Sequence, residues 1–371
     1  MLGGKLELPK SLSSLLAGRR QTADSLIGLD ISSSAIKMVE IGRQGKNLLL
    51  ERYVIEPLPK DAMNEGNIND IEAVADALRR ARARLGSHCS RVAMALPTTM
   101  AIYKKILVPA GQDKTDLEFQ VESEASQYIP FPLDEVNLDF QVLGPAPTHA
   151  DDLEILICAS RKEKVEERLA IGEMAGFTTA IMDVEAFAML TAFEQLQMQL
   201  PDQGFNQTFA LFDIGATKIH CSVIRNGQQL YYREQAFGGT QLTREIQRRY
   251  GMTHEEAEKG KRSMLLPEGY ESELLQPFVD SLSQEIQRAL QFFYTTVSVS
   301  QYLRVDYILL AGGSSMLLGL DDAVALRTQI STMIANPFTT MTQAPGIPIK
   351  DLLLDAPALL VACGLALRKF D

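Results

Sequence analysis

The stretch IGLDISSSAIKMVEI, residues 27–41, joins two apolar segments through an aspartate and three serines. The apolar segments 26–31 and 35–41 have the composition of buried strands, and the polar turn between them predicts a hairpin. Packing alone gives no reason for a carboxylate and a serine run at the end of a strand. Asp30 and the serines behind it therefore indicate a ligand site.

A second stretch, FALFDIGATKIHCSVI at residues 209–224, repeats this pattern around Asp213. Each copy is followed by a further predicted strand, at 47–56 in the first case and 229–235 in the second. The repetition indicates a divergent internal duplication. Two similar α/β halves that face each other form a cleft, and ligands often bind in such clefts.

Both turns have the composition of phosphate-binding loops. Small residues at a hairpin tip leave the backbone N–H groups open to phosphate oxygens. An aspartate directly before the tip would repel phosphate, unless a divalent cation with its waters lies between the two. We therefore predict that the turns hold phosphates from two sides. Candidate hydroxyl donors and counter-charges are Ser33, Ser34, Lys37, Thr217 and Lys218.

A third turn lies within ILLAGGSSMLLGL, residues 308–320. The pattern predicts a buried strand, then Gly-Gly-Ser-Ser, then the start of a helix. The glycines permit close backbone approach, and a helix N-terminus favours anions or polar ligands. A packed strand-to-helix turn accounts for this stretch in isolation, but its combination with the two aspartate turns indicates a nucleotide site.

The bulk composition is that of a globular protein with an acidic surface. The chain has 371 residues, which predicts about two or three domains, and 46% of them are hydrophobic. Its net charge of -11 argues against a general nucleic-acid binder, because phosphate binding needs a basic face. Basic clusters at 79–84 and 244–249 lie on predicted helices, where we interpret them as solvated faces.

Several other classes of site and location are not expected. The cysteines form no CxxC pair, the histidines show no metal-ligand spacing, and the longest apolar run, 356–367, is too short to span a membrane. We therefore predict reduced thiols, no zinc site and a cytoplasmic protein without a signal peptide. Residues 8–20 are weakly amphipathic with basic ends. They fit either contact with anionic lipid or a loosely packed tail, and we favour the tail.

The predicted elements suggest an order of domains. An amphipathic helix over 68–85, with Asn67 or Asn69 as its N-cap, precedes a strand at 91–97. The best single boundary is the loop 201–207. The predicted divisions are a tail (1–25), a first core (26–97), an inserted subdomain (98–178), a connecting helix (179–206), a second domain (207–355, with a smaller subdomain at about 238–304) and a returning helix (356–371).

With these motifs in order, the sequence resembles the actin-like ATPase superfamily, which includes actin, Hsp70, sugar kinases and FtsA. IGLDISSSAIK resembles its first phosphate motif, FDIGATK the second, and LLAGGSSMLLGL its adenosine motif. DVEAFAM (183–189) and PALLVACGLAL (357–367) resemble the two connecting helices at its hinge, and AEKGKR (257–262) resembles its segment beside adenine and ribose. The resemblance implies duplicated ribonuclease H-like halves around a nucleotide cleft.

Within that superfamily the chain resembles the PilM family of type IV pilus assembly, on its FtsA-like branch. This resemblance rests on the segments GLDISSSAIKMVEI, VAMALP and SQYIPFPLDEVNLDF (126–140). The last segment resembles the FtsA-type extra subdomain. The family implies binding of ATP or ADP with Mg²⁺ and capture of a short cytoplasmic N-terminal peptide of the membrane protein PilN. We further expect contacts with other inner-membrane platform proteins and with motor ATPases, and we expect self-association. Nucleic acid is not an expected partner.

The resemblance also implies roles for individual residues. It puts Asp30 and Asp213 near magnesium, and it puts the exposed-looking segment Ile129, Pro130, Phe131 and Pro132 near the partner peptide. Nucleotide contacts are implied for Ser32, Ser33, Ser34, Lys37, Gly215, Ala216, Thr217, Lys218, Glu258, Lys261, Gly312, Gly313, Ser314 and Ser315.

Two departures and two alternatives stay open. Ser32 stands where the first motif usually has glycine, and Leu265 stands where Hsp70-like members place a serine. No residue is assigned to position an attacking water, so the expectation is at most a slow ATPase. One alternative is a sugar or carboxylate kinase on the same fold. The other is an FtsA-like division protein, although such chains end in a linker and an amphipathic helix whereas this one ends at RKFD.

Overall fold

The computed structural model describes residues 25–146, 149, 151–263, 265–297 and 303–370. Most of the predicted tail, including the amphipathic stretch 8–20, therefore lies outside the described residues. The strands are β1 (Ile27–Ile31), β2 (Ala35–Gln44), β3 (Asn47–Pro57), β4 (Met63–Asn64), β5 (Asn67–Ile68), β6 (Arg91–Leu96), β7 (Ala101–Pro109), β8 (Val136–Pro145), β9 (Asp152–Arg161), β10 (Thr178–Val184), β11 (Thr208–Ile214), β12 (Ile219–Arg225), β13 (Gln228–Gln235), β14 (Tyr307–Ala311), β15 (Ser331–Ile334) and β16 (Thr342–Gln343).

The helices alternate with these strands. They are α1 (Ile71–Leu85), α2 (Lys114–Ala125), α3 (Lys162–Met174), α4 (Glu185–Gln197), α5 (Thr240–Tyr250), α6 (His254–Ser263), α7 (Gln276–Thr296), α8 (Leu320–Thr328), α9 (Ile349–Asp355) and α10 (Leu360–Leu367). Among the described residues, no helix has both the length and the apolar character that crossing a membrane requires.

Two sheets of the same topology form the two halves. The first has the order β10-β6-β1-β2-β3-β16, and the second has the order β13-β12-β11-β14-β15. In both, three strands form an antiparallel meander, and the first of them also pairs in parallel with a later strand. The predicted duplication is therefore present in the strand order. Strand β16 crosses the predicted division, because Thr342 and Gln343 pair with β3 of the first sheet.

Helix α1 packs on the first sheet through a stripe of buried residues that includes Val74, Leu78 and Leu85. Its N-cap is Asp70, whose carboxylate accepts a hydrogen bond from the backbone N–H of Ala73 at 3.0 Å. The prediction of Asn67 or Asn69 as the cap was wrong. Asn67 belongs to β5, and the Asn69 side chain donates to the carbonyl of Asp61, so neither reaches the helix.

A small three-stranded sheet, β7-β9-β8, forms the inserted unit. Its core packs one face of the sheet against α2 and includes Val108, Val121, Ile129 and Ile157. Helix α3 follows β9 directly but packs with the first sheet and α1, where its buried residues join that core. The insertion therefore returns the chain to the first half through α3.

Helices α4 and α10 cross between the halves. Residues of α4 and α10 join one apolar cluster with residues of both sheets, and α10 also covers β1 and β2. The predicted helix over 356–369 is divided, because 3₁₀ turns at Ala356–Leu359 and Arg368–Phe370 flank the α-helical part. A buried ion pair joins Arg368 to Asp183 at 2.6 Å, and it fixes the end of this segment beside the start of α4.

Candidate functional site

A cleft with a cavity volume of about 460 Å³ opens between the two halves. It brings together almost all of the predicted site residues from segments far apart in the chain. The predicted site residues that line it are Asp30, Ser32, Ser33, Ser34, Lys37, Asp213, Gly215, Ala216, Thr217, Lys218, Glu258, Lys261, Gly312, Gly313 and Ser314. Ser315 does not line it, because this serine is buried and its Oγ donates to the carbonyl of Gly312 at 2.8 Å.

Asp30 and Lys37 form a buried ion pair at one side of the cleft. They lie opposite each other in the β1–β2 hairpin, and the Lys37 Nζ is 3.0 Å from the Asp30 carboxylate. Burial lowers the pKa of Lys37, but the carboxylates of Asp30 and Asp213 outweigh this effect and raise the pKa above its usual value. The Lys37 ammonium therefore lies against Asp30 and within the electrostatic influence of Asp213.

Asp213 takes the equivalent place at the end of β11 and lies opposite His220 of β12. Burial raises the pKa of Asp213, and the electrostatic effects of His220 and Lys37 only partly offset this increase. Lys218 does not face the aspartate. Its Nζ forms an ion pair with Glu234 of β13 at 2.9 Å, so the charges of the second turn differ from those of the first.

Sequence reasoning missed four acidic residues of the cleft, which are Glu185, Glu234, Asp351 and Asp355. Glu185 is the first residue of α4 and lines the cavity beside the phosphate turns. Burial raises the pKa of Glu185 to about 7, with Asp30 and Asp213 acting in the same direction and His220 and Arg168 opposing it. Its signal in the sequence was its place as one of two carboxylates, with Asp183, in the mainly apolar connecting segment DVEAFAM, 183–189.

Glycines bring three turns of the second half into backbone contact. Gly312 has φ of +84°, and a methyl group there would overlap Asp213 and Ile214. Gly238 and Gly239, which sequence reasoning also missed, lie at the start of α5. A Cβ on Gly238 would lie 2.6 Å from the carbonyl carbon of Ala216, and one on Gly239 would overlap the Ser314 side chain. Only glycine permits this packing around the floor of the cleft.

The third turn differs from its prediction in one respect. No helix starts at Gly-Gly-Ser-Ser, because residues 312–319 form turns and α8 begins only at Leu320. The expected helix N-terminus at this turn was therefore wrong. Gly313 still lines the cleft, and a Cβ built on it meets nothing within 4 Å, so its backbone borders open space.

Glu258 and Lys261 lie on the cleft side of α6 and bind each other at 2.7 Å. The Lys261 Nζ also donates to Thr243 Oγ1 at 2.8 Å and to the carbonyl of Gly239 at 3.3 Å. Burial lowers the pKa of Lys261, although Glu258 opposes this shift. This cluster ties α6 to α5 and presents one ammonium and one carboxylate to the cavity.

The residues of the cleft fit a magnesium ion shared with a phosphate chain. Within the described residues, no three acidic, histidine or cysteine side chains are placed to hold a metal by themselves. Mg²⁺ in nucleotide sites is normally held by one or two carboxylates together with water and phosphate oxygens. The pair Asp30 and Asp213, with small-residue turns on both sides, matches that donor set.

A second cavity of about 460 Å³ lies between the inserted sheet and the first half. Ile129, Pro130 and Phe131 line this groove, whereas Pro132 does not. Its wall is mainly apolar, and Arg161 and Lys164 add positive charge. The Arg161 guanidinium stands 5.5 Å from the centre of the Phe131 ring. The cavity is thus an apolar groove bordered by two basic residues and the acidic Glu65.

Comparison with known families settles the membership of the chain. Residues 28–370 match the family of the type IV pilus assembly protein PilM, which leaves only the extreme ends of the sequence unmatched. The chain belongs to this family. The two repeated sheets and the connecting helices are thus the actin-like architecture of a PilM-family protein, as its sequence motifs predicted.

Solved structures agree with this membership. A chain of a PilM–PilN type IV pilus biogenesis complex is 28% identical to this PilM-family chain, with a TM-score of 0.76 over 93% of this chain and 98% of that one. The ethanolamine utilization protein EutJ from Carboxydothermus hydrogenoformans is 15% identical, with a TM-score of 0.52 over 92% of this chain and 89% of that one. The second likeness shows the shared fold alone.

Proposed function

We propose that this chain is a cytoplasmic ATP-binding assembly protein of the type IV pilus inner-membrane platform. The observation that carries the proposal is the convergence of Asp30, Asp213 and three small-residue turns on one cleft. Carboxylates beside backbone-lined turns suit a nucleotide phosphate chain with its metal ion. ATP or ADP with Mg²⁺ is the ligand that fits this combination.

Asp30 and Asp213 would hold magnesium, with the turns at Ser32–Ser34 and Gly215–Thr217 on either side of the phosphates. Bound magnesium neutralises phosphate charge and orients the phosphate oxygens. Lys37 then faces phosphate as well as Asp30, since its ammonium already lies at the carboxylate cluster. Glu258 and Lys261 supply polar contacts for a sugar.

Glu185 is the group that we assign to hydrolysis. A carboxylate with a pKa of about 7 accepts a proton from water near neutral pH, which is the property of a general base. Besides the magnesium pair and the ion-paired Glu234, Glu258 and Asp355, the carboxylates among the described residues that line the cleft are Glu185 and Asp351. We assign the role to Glu185 because its pKa is raised to about 7. The proposed activity is a slow ATPase.

The groove of the inserted subdomain is the proposed site for the N-terminal cytoplasmic peptide of PilN. The related chain is part of a PilM–PilN complex, and this chain has an apolar groove of about 460 Å³ beside Ile129 and Phe131. An extended peptide with apolar side chains suits such a groove. Binding of PilN would recruit the protein from the cytoplasm to the inner membrane. Contacts with other platform proteins or motor ATPases remain predictions.

Calorimetry on protein stripped of copurified nucleotide tests the first proposal. We expect saturable binding of ATP that depends on magnesium, and weaker binding when magnesium is replaced by EDTA. Absence of magnesium-dependent binding to folded protein would refute a nucleotide role for the cleft. A sugar phosphorylation screen would then examine the kinase alternative.

A pull-down with a synthetic peptide of the PilN N-terminus tests the partner proposal. We expect retention of the protein on the peptide, and loss of retention when the apolar residues of the peptide are replaced by serine. A scrambled peptide of equal composition is the control for non-specific apolar binding. Equal retention on both peptides would remove the case for a sequence-specific groove.

A further inference from the structure

The cleft and the peptide groove share one wall. The β4–β5 hairpin places Gly66 on the cleft side, whereas its neighbours Glu65 and Asn67 line the groove. The turn after β6 behaves in the same way, with Pro97 in the cleft lining and Met100 in the groove lining. Within each of two short segments, neighbouring residues therefore line different cavities.

The two segments of this wall are in contact. Gly66 has φ of +88°, and a Cβ there would lie 3.0 Å from Cγ of Pro97 and 3.7 Å from Cε of Met100. The turn is also tied to α4, because Thr98 Oγ1 accepts a hydrogen bond from the backbone N–H of Ala186 at 3.1 Å. Ala186 directly follows Glu185 of the cleft. A shift of one segment must consequently move the other.

Arg168 of α3 connects this wall to the first phosphate turn. Its side chain is only 1% exposed, and its guanidinium donates to the carbonyl of Gly66 at 2.6 Å and to that of Ile31 at 3.5 Å. Ile31 directly follows Asp30. The carboxylates of Glu185 and Asp30 also act electrostatically on this guanidinium. Arg168 thus contacts the β4–β5 hairpin and interacts electrostatically with two carboxylates of the cleft.

A second cation of the same helix holds the hairpin from the groove side. Lys164, one helical turn before Arg168, donates to Asn67 Oδ1 at 3.0 Å and lines the groove. The hairpin tip is therefore held at Gly66 by the buried Arg168 and at Asn67 by the groove-lining Lys164. The hairpin thus has two anchors on α3, one buried behind the first phosphate turn and one in the groove.

We propose that Arg168 is a positioning residue that couples occupancy of the cleft to the shape of the peptide groove. This inference rests on the proposed function, since it concerns the regulation of the peptide by nucleotide. Added anionic charge beside Asp30 and Glu185 changes the balance of forces on the guanidinium. The guanidinium carries that change to Gly66 and thereby to Glu65 and Asn67. By linkage the peptide must alter nucleotide affinity by the same factor.

The test measures the affinity of the synthetic PilN peptide by calorimetry, without nucleotide and with saturating AMP-PNP and magnesium. For the unaltered protein we expect the two affinities to differ by at least about fivefold, the lower end of ordinary coupling between sites. In Arg168→Met the two values should agree within about twofold. In the same variant, the affinity for AMP-PNP should no longer depend on whether the peptide is bound.

Two matched variants separate coupling from ordinary stability effects. Arg82→Met removes an arginine that bonds the carbonyls of Ala175 and Gly176 but lines neither cavity, so it should keep the full ratio. Lys164→Met should weaken binding of the peptide both with and without nucleotide, while the ratio of the two affinities stays the same. If Arg168 had a purely structural role, Arg168→Met would lower the stability of the protein and leave the ratio of the two peptide affinities unchanged.

Each outcome bears on one proposal. If both ligands bind the unaltered protein with a ratio of one, or if Arg168→Met keeps the ratio, the coupling role is wrong while the proposed function stands. If either ligand fails to bind, the proposed function fails and the coupling role falls with it. Should Arg168→Met not fold, hydrogen exchange of residues 63–68 in the unaltered protein decides the matter. AMP-PNP must change that exchange for the proposal to survive.

Discussion

Gly364 of α10 lies directly against the carbonyl oxygen of Ala188 of α4, so closely that a methyl group on the glycine would overlap it. The two connecting helices therefore touch backbone to backbone between the halves. Gly28 of β1 makes a similar contact with Ala362 of the same helix. At these points no side chain separates the two backbones.

We expect Gly364→Ala to destabilise the protein by about 1–3 kcal/mol, because overpacking at a tight contact forces neighbouring segments apart. Denaturant unfolding followed by circular dichroism measures this change. Gly313→Ala is the matched control, because its Cβ meets nothing within 4 Å and its φ is not positive. Equal stability of Gly364→Ala and the unaltered protein would mean that the helices separate freely at this contact.

Gly313→Ala itself should weaken nucleotide binding without loss of stability. The space beside Gly313 is part of the cleft, and a methyl group there excludes ligand from close backbone approach. We expect the ATP-induced rise in melting temperature to shrink, because ligand stabilisation follows the logarithm of its affinity. An undiminished rise would show that the third turn does not approach the nucleotide.

Asp213→Asn should have opposite effects on stability and on magnesium-dependent binding. Burial raises the folded-state pKa of Asp213. The ionised carboxylate therefore lowers the free energy of unfolding, fully so at a pH above the folded-state pKa. This loss of stability is absent at a pH below the unfolded-state pKa. Removal of the charge should therefore increase the unfolding free energy at pH 8. The enhancement of ATP affinity by magnesium should fall at least about tenfold, or 1.4 kcal/mol.

Calorimetry with and without magnesium measures the second effect, and urea unfolding measures the first. Glu234→Gln serves as the control, because this carboxylate also lines the cleft but is paired with Lys218. The assignment of Asp213 to the metal would not survive an unchanged magnesium effect in a folded Asp213→Asn protein.

ATP turnover should depend on pH through Glu185. Its pKa of about 7 means that the ionised form, which accepts a proton, increases as the pH rises through 7. We expect the rate to rise between pH 6 and 8, and Glu185→Gln to lower it by about 10²- to 10⁴-fold and abolish the pH dependence. Phosphate release assays measure the rate, and an unchanged ATP affinity separates turnover from binding.

Phe131→Ala should weaken binding of the PilN peptide about tenfold, because Phe131 lines the groove and aromatic residues often contribute strongly to binding. Phe119→Ala is the matched control. Phe119 lies in the same subdomain and is 73% exposed, but it does not line the groove. Fluorescence anisotropy with a labelled peptide measures both. Similar affinities for the two variants would place the peptide elsewhere.

The sequence allowed much of this arrangement to be predicted, because the decisive elements are local. Asp30 and Asp213 each precede a turn of small residues, and hairpin geometry then brings each carboxylate to a strand end. Alternating and continuous apolar runs marked the strands of both halves. The equivalence of the halves followed from the repeated pattern, and the structure shows it as one strand order used twice.

Other features depend on contacts between distant segments and left little or no local signal. The partner of Lys218 follows from the register of β12 and β13, which brings Glu234 to it. Glu185 sits in a segment whose composition fits simple packing, and only the fold places it among the cleft carboxylates. Asp70, rather than an asparagine, caps α1 because β4 and β5 form a hairpin first.

The position of α10 affects how the chain folds during synthesis. Val39 and Ile41 of the first sheet share a core with Leu359, Ala362 and Ala366, which the ribosome makes hundreds of residues later. Until those residues emerge, the nascent first half carries a bare apolar face. The first half is therefore a natural client for chaperones, and a stalled or shortened chain would expose a surface prone to aggregation.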